Sequence, residues 1–406
     1  MSTIDIHCHP ALKIFLFDQR IAERSNSHNL NITRKLFVNV PDMQKGGVQA
    51  AVAVHYLPER GLITDIKKRL FFRVLIDFAE KGCSSFIDSK FEDKSTATAP
   101  FLQIMKMIRQ FEDEVQQAND DTSNSLRVRV AKSFSELKIA QAEGETVFLH
   151  SVEGAHCLGH RVNYATCEKE ITELFEAGVC QFTIAHFFEN ILVSCLSGIP
   201  PKVVKLIEYE GNNTYANGYN EENNLAERVI EKMLDLGIII DLVHCVPGAK
   251  EMVYSINEKR GSNSRPLVFS HTGLREVVQK YSPKIPAEEL AYCPDKNDVL
   301  RIKKCDGVLG IIFLDYWLNG IEQNKAAIPL VVETMQAIRA ITGDYNNISI
   351  GTDLDGFTEV PKDLAGEEYM PRLTEEMRIQ KISEEDIGKI SMKNYLRVLE
   401  KGWGKK

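Results

Sequence analysis

Short apolar runs rich in β-branched residues alternate along the chain with longer stretches in which apolar and polar residues are mixed. Eight of these runs have the length and composition of strands, at 3–9, 48–55, 146–153, 180–186, 237–244, 266–271, 307–314 and 347–353. Between two of them, segment 226–237 repeats apolar residues three and four positions apart, which predicts a helix with one buried face. Mostly apolar strands that alternate with helices predict a parallel sheet covered on both faces.

Eight such strands predict an α/β fold of the (β/α)8 or TIM barrel type, and a chain of 406 residues suits such a barrel with insertions. A doubly wound open sheet is the alternative, but no glycine-rich phosphate loop follows the first strand. We predict a single domain, with a barrel over 1–356, a helical insertion around 80–130 and a C-terminal helical extension over 357–406 that packs on the barrel. The segment between the second and third strands carries three helical patterns, at 66–81, 101–118 and 133–143.

The charged residues, 49 basic and 57 acidic, are dispersed along the chain and give a net charge of −8. Nucleic-acid binding needs clustered Lys and Arg, so we expect no nucleic-acid partner. The longest apolar runs, such as 307–314, are too short to span a bilayer, and strand-like residues begin at position 2. We therefore expect neither a membrane partner nor a signal peptide. Nine scattered cysteines without a C-x-x-C pair predict reduced thiols and a cytoplasmic location.

Residues that can bind a metal or carry a proton stand at the ends of six predicted strands. In a (β/α)8 barrel the C-terminal ends of the strands surround one mouth, where active sites lie, so these residues would converge. On the first strand, alternation of side chains puts Asp5 and His7 on the face of His9, and we expect that face to point into the barrel. The six residues at the strand ends are His9, Glu153, His186, His244, His271 and Asp353.

A single histidine at a strand end is more commonly a hydrogen-bonded structural residue than a ligand. Six strand ends with the same chemistry are hard to explain as core, because buried polar groups cost free energy unless they are paired. Neutral imidazoles bind zinc-like cations, a carboxylate can bridge two of them, and paired cations generate hydroxide near neutral pH. The sequence therefore predicts a metal site at the mouth.

Five other polar residues near the strand ends are interpreted as supporting or structural. We expect Asp5 to orient a ligand or to fill a polar layer, His55 to line the mouth without binding metal, and His150 to face the helices. We interpret Asp355 as a loop cap and His156 as a group that assists from a loop or is purely structural.

Seven stretches resemble, in order and spacing, the membrane dipeptidase (renal dipeptidase) family, peptidase family M19 of the amidohydrolase superfamily. They are "IDIHCHP" (4–10), "SVEGAHCLG" (151–159), "LFEAGVCQFTIAH" (174–186), "DLGIIIDLVH" (235–244), "PLVFSHTG" (266–273), "DVLRIKKCDGVLGIIF" (298–313) and "ISIGTDLDG" (348–356). The resemblance covers about the first 356 residues. It implies a barrel with two divalent metal ions, expected to be zinc, that hydrolyses the amide bond of a dipeptide.

The same resemblance implies a role for each candidate residue. It places His7 and His9 on one metal, His244 and His271 on the other, and Glu153 between them. It makes Asp353 the residue that takes the proton of the bridging water and passes it to the leaving amine. It makes His186 a substrate-binding residue that contacts the carbonyl oxygen and stabilises the oxyanion.

The chain departs from the family pattern in two places. The family opens with His-x-Asp, whereas the second ligand here is His9. Family dipeptidases place an arginine after the sixth strand to bind the substrate carboxylate, and segment 291–302 has none at the matching position. Arg275 or Lys280 is the candidate to replace it.

These departures leave three functions open. The first is hydrolysis of an amide in a dipeptide or related small molecule. The second is the same metal site acting on a lactone, a phosphoester or another non-peptide substrate, because one fold hosts many chemistries. The third is a barrel that binds metal without catalysis. The expected partner is a small-molecule substrate, and association into a homo-oligomer is left open.

Overall fold

The computed structural model describes residues 2–17, 19–24, 35–57, 59, 99–121, 123, 125–159, 163–196, 198, 213–285, 290–320, 327–356, 361 and 363–404. Nine strands lie within these residues, all in one parallel sheet. They are β1 (Thr3–Cys8), β2 (Val48–Tyr56), β3 (Val128–Val130), β4 (Thr146–Glu153), β5 (Val179–Thr183), β6 (Ile239–Asp241), β7 (Val268–Thr272), β8 (Val308–Ile311) and β9 (Ile348–Ile350).

Eight of the strands close into a barrel. The sheet runs in the order β2-β1-β9-β8-β7-β6-β5-β4-β3, and β2 also pairs with β4 from Ala50↔Val147 to Tyr56↔Glu153. Strand β3 pairs only with the start of β4, on the edge where β5 pairs with the rest of β4, so it lies outside the ring. The predicted (β/α)8 barrel and its eight strands are confirmed. Strand β3 was not predicted, because three residues are too short to show an alternating pattern.

The described helices lie between the strands and after the last one. They are α1 (Pro10–Phe17), α2 (Val40–Gly46), α3 (Ala99–Asp120), α4 (Phe134–Ala142), α5 (Tyr164–Glu176), α6 (Leu225–Leu236), α7 (Pro247–Lys259), α8 (Arg275–Tyr281), α9 (Lys296–Lys304), α10 (Asp315–Asn319), α11 (Ala327–Thr342), α12 (Met370–Ile379), α13 (Glu384–Gly388) and α14 (Asn394–Gly402). A π-helical turn at Lys389–Lys393 joins α13 to α14, and a 3-10 turn at Ala155–Leu158 follows β4. No described helix is both long and apolar enough to cross a membrane. The predicted helix at 66–81 falls outside the described residues. Within the described part of the predicted insertion around 80–130 lie helix α3 and strand β3.

The sequence sets the ends of these helices through local chemistry. Helix α9 starts at a capping box, in which the Asp295 side chain accepts a hydrogen bond from the Asp298 backbone N–H (3.0 Å) and the Asp298 side chain accepts one from the Asp295 backbone N–H (3.3 Å). Its last turn carries Arg301, Lys303 and Lys304, whose charges suit the negative end of the helix dipole. Helix α6 ends at Gly237, whose positive φ of 84° is a left-handed conformation that glycine adopts without strain.

Helix α14 closes the end of the barrel opposite the mouth. Its residues Tyr395, Val398 and Leu399 pack with buried apolar residues of the strands, among them Ile4 and Val147. The Tyr395 hydroxyl donates a hydrogen bond to Gln181 Oε1 of β5 (2.8 Å). The barrel therefore has an apolar floor, and polar side chains are concentrated at its other end.

The predicted orientation of Asp5 is wrong. A Cβ built on Gly310 of β8 would lie 2.8 Å from Ile6 Cδ1, so Ile6 points across the barrel interior. Asp5 instead lies beside Glu367 and Cys8, outside the ring of strands. The cause is an irregularity in β1, which sets four residues, from Asp5 to Cys8, against the three from Ala51 to Ala53 of β2 and so breaks the alternation of side chains. Asp5 still supports a predicted ligand, because its Oδ1 accepts a hydrogen bond from the His7 backbone N–H (3.1 Å).

Candidate metal centre

The mouth of the barrel brings together seven residues from the ends of six strands. Strands β1, β4 and β7 themselves carry His7, Glu153 and His271. The other four lie within three residues after a strand, and all seven are buried. Every residue predicted as a metal ligand is in this group, together with the two predicted catalytic residues. The seven are His7, His9, Glu153, His186, His244, His271 and Asp353.

Glu153 is at the centre of the group. Its Oε1 is 3.6 Å from His7 Nε2 and 3.8 Å from His271 Nε2, and its Oε2 is 3.4 Å from His9 Nε2. Most of these separations are too long for good hydrogen bonds, and the buried Oε1 has no hydrogen-bond partner. A buried carboxylate oxygen without a partner is costly, and a cation between it and the imidazoles would satisfy it. The residues present therefore fit a metal ion.

The ligand atoms divide into two sets that share Glu153. Those of His7, His9 and Glu153 lie within 4.8 Å of one another, and so do those of Glu153, His244 and His271. One carboxylate that belongs to both sets can bridge two cations, each of which would also have two imidazoles. This is the grouping that the family resemblance implies.

Hydrogen bonds hold the far side of three of the candidate ligand imidazoles, those of His7, His244 and His271. Ser270 Oγ lies 2.8 Å from His7 Nδ1 and 2.9 Å from His271 Nδ1, and it donates its own proton to Asp241 Oδ2 (2.5 Å). Because that proton is committed, Ser270 Oγ accepts N–H from both rings. The Leu196 carbonyl in the same way accepts from His244 Nδ1 (2.9 Å). All three histidines are thus left with an unprotonated Nε2, the form that binds a metal.

Asp241 and Ser270 are functional residues that sequence reasoning missed. Asp241 is a buried acid at the end of β6, and it also accepts a hydrogen bond from the Thr183 hydroxyl (2.6 Å). The available signal was the single acid within the apolar run 238–243, which needs a buried partner. Asp241 also lies near a nitrogen of both His7 and His271. Because the Ser270 hydroxyl forms hydrogen bonds with all three residues, we interpret this cluster as one that supports the two imidazoles.

Burial moves the pKa values at the mouth in opposite directions for acid and imidazole. It raises the pKa of Glu153 well above its usual range, and the charges of Asp353, Asp241 and Glu59 raise it further. It lowers the pKa of His7 and His271 well below 6.5, with neighbouring imidazoles adding to the effect. The imidazoles are therefore neutral near pH 7 and do not have to lose a proton to bind a cation. A bound cation would favour the ionised form of Glu153.

Two site residues have a backbone conformation that is uncommon for residues other than glycine. His244 has φ 62° and Asp353 has φ 58°, both in the left-handed region. Such conformations persist where the surrounding structure enforces them, and they concentrate at functional sites. At Asp353 the backbone N–H donates to the His7 carbonyl (2.9 Å), which ties the end of β9 to β1.

Aromatic rings form a wall around the imidazoles. Trp317 stacks against His271 with ring centroids 5.7 Å apart, and its Nε1 donates to the Gly198 carbonyl (2.8 Å). The Phe187 ring centroid lies 3.7 Å from that of His186, and that of Tyr56 lies 4.5 Å from it on another side. These rings displace water from the polar group and so strengthen electrostatic interactions within it.

His186 is held by Glu59, another residue that sequence reasoning missed. His186 Nδ1 lies 2.8 Å from Glu59 Oε2, and His186 Nε2 lies 3.8 Å from Glu153 Oε2. Glu59 comes three residues after the end of β2, in a stretch where no hydrophobic pattern or motif distinguishes it. Only the three-dimensional contact identifies it.

The two cations predicted to meet a substrate carboxylate are engaged with other groups. Arg275, at the start of α8, places its guanidinium 3.5 Å from Asp295 Oδ2 and 3.4 Å from the Cys293 carbonyl. Lys280 pairs with Glu333 at 2.7 Å. The structure thus places both in contacts with neighbouring segments rather than with the group around Glu153.

The remaining predicted residues have structural contacts. His150 faces the helices as predicted, and His55 does so too: it contacts His150 and the Phe111 ring of α3 instead of lining the mouth. His156 donates to the Leu57 carbonyl (2.7 Å). Asp355 caps a loop as predicted, because its carboxylate accepts hydrogen bonds from the backbone N–H groups of residues 37 and 38.

Comparison with known proteins identifies the family of this chain. The membrane dipeptidase family (peptidase family M19) matches the chain over residues 1–402. An uncharacterized dipeptidase of Schizosaccharomyces pombe is 26% identical over 229 residues, which are 56% of this chain and 48% of that protein. Dipeptidase 3 of Homo sapiens is 25% identical over 282 residues, which are 66% of this chain and 49% of that protein. The chain thus spans about half the length of these two curated relatives.

A solved structure shows the same fold over the whole chain. The metallopeptidase from Rhodobacter sphaeroides, liganded with a phosphinate mimic of the dipeptide L-Ala-D-Ala, superposes with a TM-score of 0.71. The match covers 99% of both chains at 16% sequence identity. At that identity the likeness establishes the barrel and its connections.

Proposed function

Since this chain belongs to the membrane dipeptidase family, we propose that it is a metal-dependent hydrolase that cleaves an amide bond in a dipeptide or a related small molecule. The observation that carries the proposal is the position of Glu153 between two imidazole sets, in which the Nε2 atoms of His7, His244 and His271 are free of protons. Two divalent ions, zinc by the nature of these ligands, are proposed to bind there. Once bound, they would polarise a substrate carbonyl and lower the pKa of a water molecule.

Asp353 is proposed to carry the proton. Its side chain is 11% exposed, against 2% for Glu153, and its Oδ1 is 3.2 Å from His9 Nε2. It is thus the carboxylate of the group that reaches both the metal ligands and the incoming substrate. In this role it takes the proton of the attacking water and returns it to the leaving amine.

His186 is proposed to stabilise the oxyanion. Its ring lies between Glu59 and Glu153, and its Nε2 is the atom directed at the centre of the mouth. Because Nδ1 donates to Glu59, Nε2 would stabilise the charge on the carbonyl oxygen once it carries a second proton, as an imidazolium N–H whose charge Glu59 balances.

Replacing Asp353 by Asn tests the proposal. Loss of a general base predicts a fall in kcat of about 10²–10⁴-fold on every dipeptide that the wild type cleaves. The bound metal, measured by elemental analysis, is expected to stay at the wild-type amount. Wild-type turnover by D353N with its metal retained contradicts the proposed role of Asp353.

The contacts of Arg275 and Lys280 favour a second candidate substrate. Both cations are engaged away from Glu153, so a substrate without a free carboxylate would need neither of them. Lactones, phosphoesters and C-terminally amidated dipeptides belong to this class. Parallel assays of free dipeptides, their C-terminal amides, lactones and phosphotriesters separate the candidates. Preference for a free dipeptide over its amide supports a carboxylate-binding group, and the reverse preference supports the second candidate.

A cytoplasmic setting is proposed on the evidence of the thiols. The eight described cysteines are free, and seven of them are buried. Burial raises the pKa of Cys8 and Cys157 well above the usual range, which keeps these thiols protonated and unreactive.

A further inference from the structure

The buried carboxylate of Glu59 accepts hydrogen bonds from four donors. Its Oε2 lies 2.8 Å from His186 Nδ1 and 3.2 Å from the Tyr56 hydroxyl. Its Oε1 accepts hydrogen bonds from the backbone N–H groups of Phe187 (2.8 Å) and Phe188 (3.0 Å). Two donors on each oxygen use the accepting capacity of a carboxylate fully, and an amide in its place could not accept all four.

These contacts fix which nitrogen of His186 faces the mouth. With the Nδ1 proton donated to Glu59, Nε2 is the ring nitrogen directed at Glu153, 3.8 Å from its Oε2. The rings of Phe187 and Tyr56 pack against the imidazole and restrict its rotation. The same carboxylate also holds the backbone just after His186, so the ring and its attachment to the chain are positioned together.

We propose that Glu59 is a positioning residue, which acts on the reaction through His186 and not by contact with substrate. This inference rests on the proposed function. It extends that function to a residue beyond the metal ligands and the proton carrier, in the segment after β2. Supporting hydrogen bonds of this kind typically change activity by about 10–100-fold when they are lost.

Glu189, which lies three residues after His186 in the loop that follows β5, offers a matched control. It too is a glutamate that holds a loop, since its carboxylate accepts hydrogen bonds from Ser194 Oγ (2.8 Å) and from the Tyr215 backbone N–H (3.2 Å). Its described partners do not include His186. Glu59→Gln and Glu189→Gln therefore make the same chemical change in two loop-holding carboxylates, of which only one contacts the imidazole.

The test is a double-mutant cycle on the metal-loaded protein. Glu59→Gln is expected to lower kcat by about 10–100-fold with little change in KM and none in metal content, and Glu189→Gln to leave kcat within about 2-fold. In a His186→Ala background, Glu59→Gln is expected to cost less than about 2-fold more, because two residues that act as a unit are not additive. Equal losses in both backgrounds, or an unchanged kcat in Glu59→Gln, would overturn the proposal.

A second measurement does not depend on activity or on the folding of the glutamine variant. Nitrogen NMR of the histidine side chains in the zinc-loaded wild type is expected to show the His186 proton on Nδ1. A proton found only on Nε2 overturns the positioning role whatever the substrate is. If the wild type hydrolyses nothing in the substrate panel while the Nδ1 proton is present, the proposed function fails and the positioning of His186 stands. If Glu59→Gln does not fold, Glu59→Asp replaces it in the double-mutant cycle. Its effect on kcat is likewise expected to be lost in the His186→Ala background.

Discussion

Two groups of buried histidines in this barrel differ in what their nitrogens meet. At the mouth, imidazole Nε2 atoms surround Glu153 at 3.4–3.8 Å, and one carboxylate oxygen has no hydrogen-bond partner. Beneath α3, His55 Nε2 lies 2.8 Å from His150 Nδ1, and His150 Nε2 lies 3.1 Å from Glu112, which pairs with Lys132. The second group forms a continuous hydrogen-bonded chain, and only His55 Nδ1 is left without a partner.

The difference distinguishes the candidate metal ligands at the mouth from the structural histidines under α3. Both groups are buried, and burial lowers the pKa of His7 and His55 alike. At the mouth, the protonated Nδ1 atoms of His7, His244 and His271 are held by hydrogen bonds and their bare Nε2 atoms converge on the carboxylate of Glu153. Under α3, His55 Nε2 donates a hydrogen bond to His150 Nδ1, and His150 Nε2 donates one to the half-buried Glu112. Convergence of unprotonated nitrogens, more than burial, indicates the cation site.

The largest effect is expected from removing the carboxylate of Glu153, which belongs to both sets of candidate ligands at the mouth. Glu153→Ala is expected to remove the bound metal and to lower kcat/KM by about 10³-fold or more, since paired cations supply several kcal/mol to the reaction. His150→Leu, the matched change in the other group, is expected to leave metal content and turnover near wild type. Elemental analysis and steady-state kinetics on both variants provide the check. A Glu153→Ala protein that keeps two equivalents of metal contradicts the assignment of the shared ligand.

Metal removal is expected to lower the free energy of unfolding through the residues at the mouth and not through the histidine pair under α3. A ligand at 100 times its Kd stabilises the folded state by about 2.7 kcal/mol, so a chelator should lower the Tm of the wild type and of His150→Leu by similar amounts. Glu153→Ala should show little further decrease on chelation. Differential scanning calorimetry with and without chelator measures this. A similar decrease in Glu153→Ala would place the stabilising ion elsewhere in the protein.

The smallest expected effect is the pH dependence from the pair under α3. Burial lowers the pKa of His55 and His150, with the charge of His150 lowering that of His55 further and Glu112 opposing the shift of His150. The unfolded chain therefore binds more protons below pH 6.5, and the pair makes the unfolding free energy fall as the pH drops through that value. Above it, both states hold neutral imidazoles and the pair contributes no slope.

Urea unfolding of the chelated protein between pH 7.5 and 5 measures this contribution. The double variant His55→Leu with His150→Leu should have a shallower slope than the wild type, by at most about 1.4 kcal/mol per pH unit for each group. The metal ligands are the same in both proteins, so their titration cancels in the comparison. Equal slopes would show that the pair does not titrate differently in the folded and unfolded states.

The sequence predicted the barrel well because its strands are apolar on both faces and its helices are regular. The ligands could be predicted because they occupy strand ends, where a (β/α)8 fold brings distant positions together. Asp5 was placed on the wrong face because alternation holds only in a regular strand, and an irregularity in β1 depends on its pairing with β2. Hydrophobic patterning does not reveal such irregularities.

The residues that support the ligands were less accessible to sequence reasoning. Ser270 and Asp241 matter because a hydroxyl on β7 reaches a carboxylate on β6 and two imidazoles at once. Glu59 matters because it meets a loop that follows β5, more than 120 positions further along the chain. Ser, Asp and Glu are common residue types, and their roles depend on contacts that no local spacing encodes.

The floor of the barrel has a consequence for how the protein can be altered. Tyr395 of α14 donates to Gln181, and the Gln181 amide donates to the Ile6 carbonyl (3.3 Å), immediately before His7. Three hydrogen-bonded residues thus connect the last helix to the strand that presents the first ligand. Fusion partners, tags or substitutions introduced at α14 would therefore act on the geometry of the candidate metal centre from the opposite end of the molecule. That helix is a poor place to attach a tag and a good place to adjust the site from a distance.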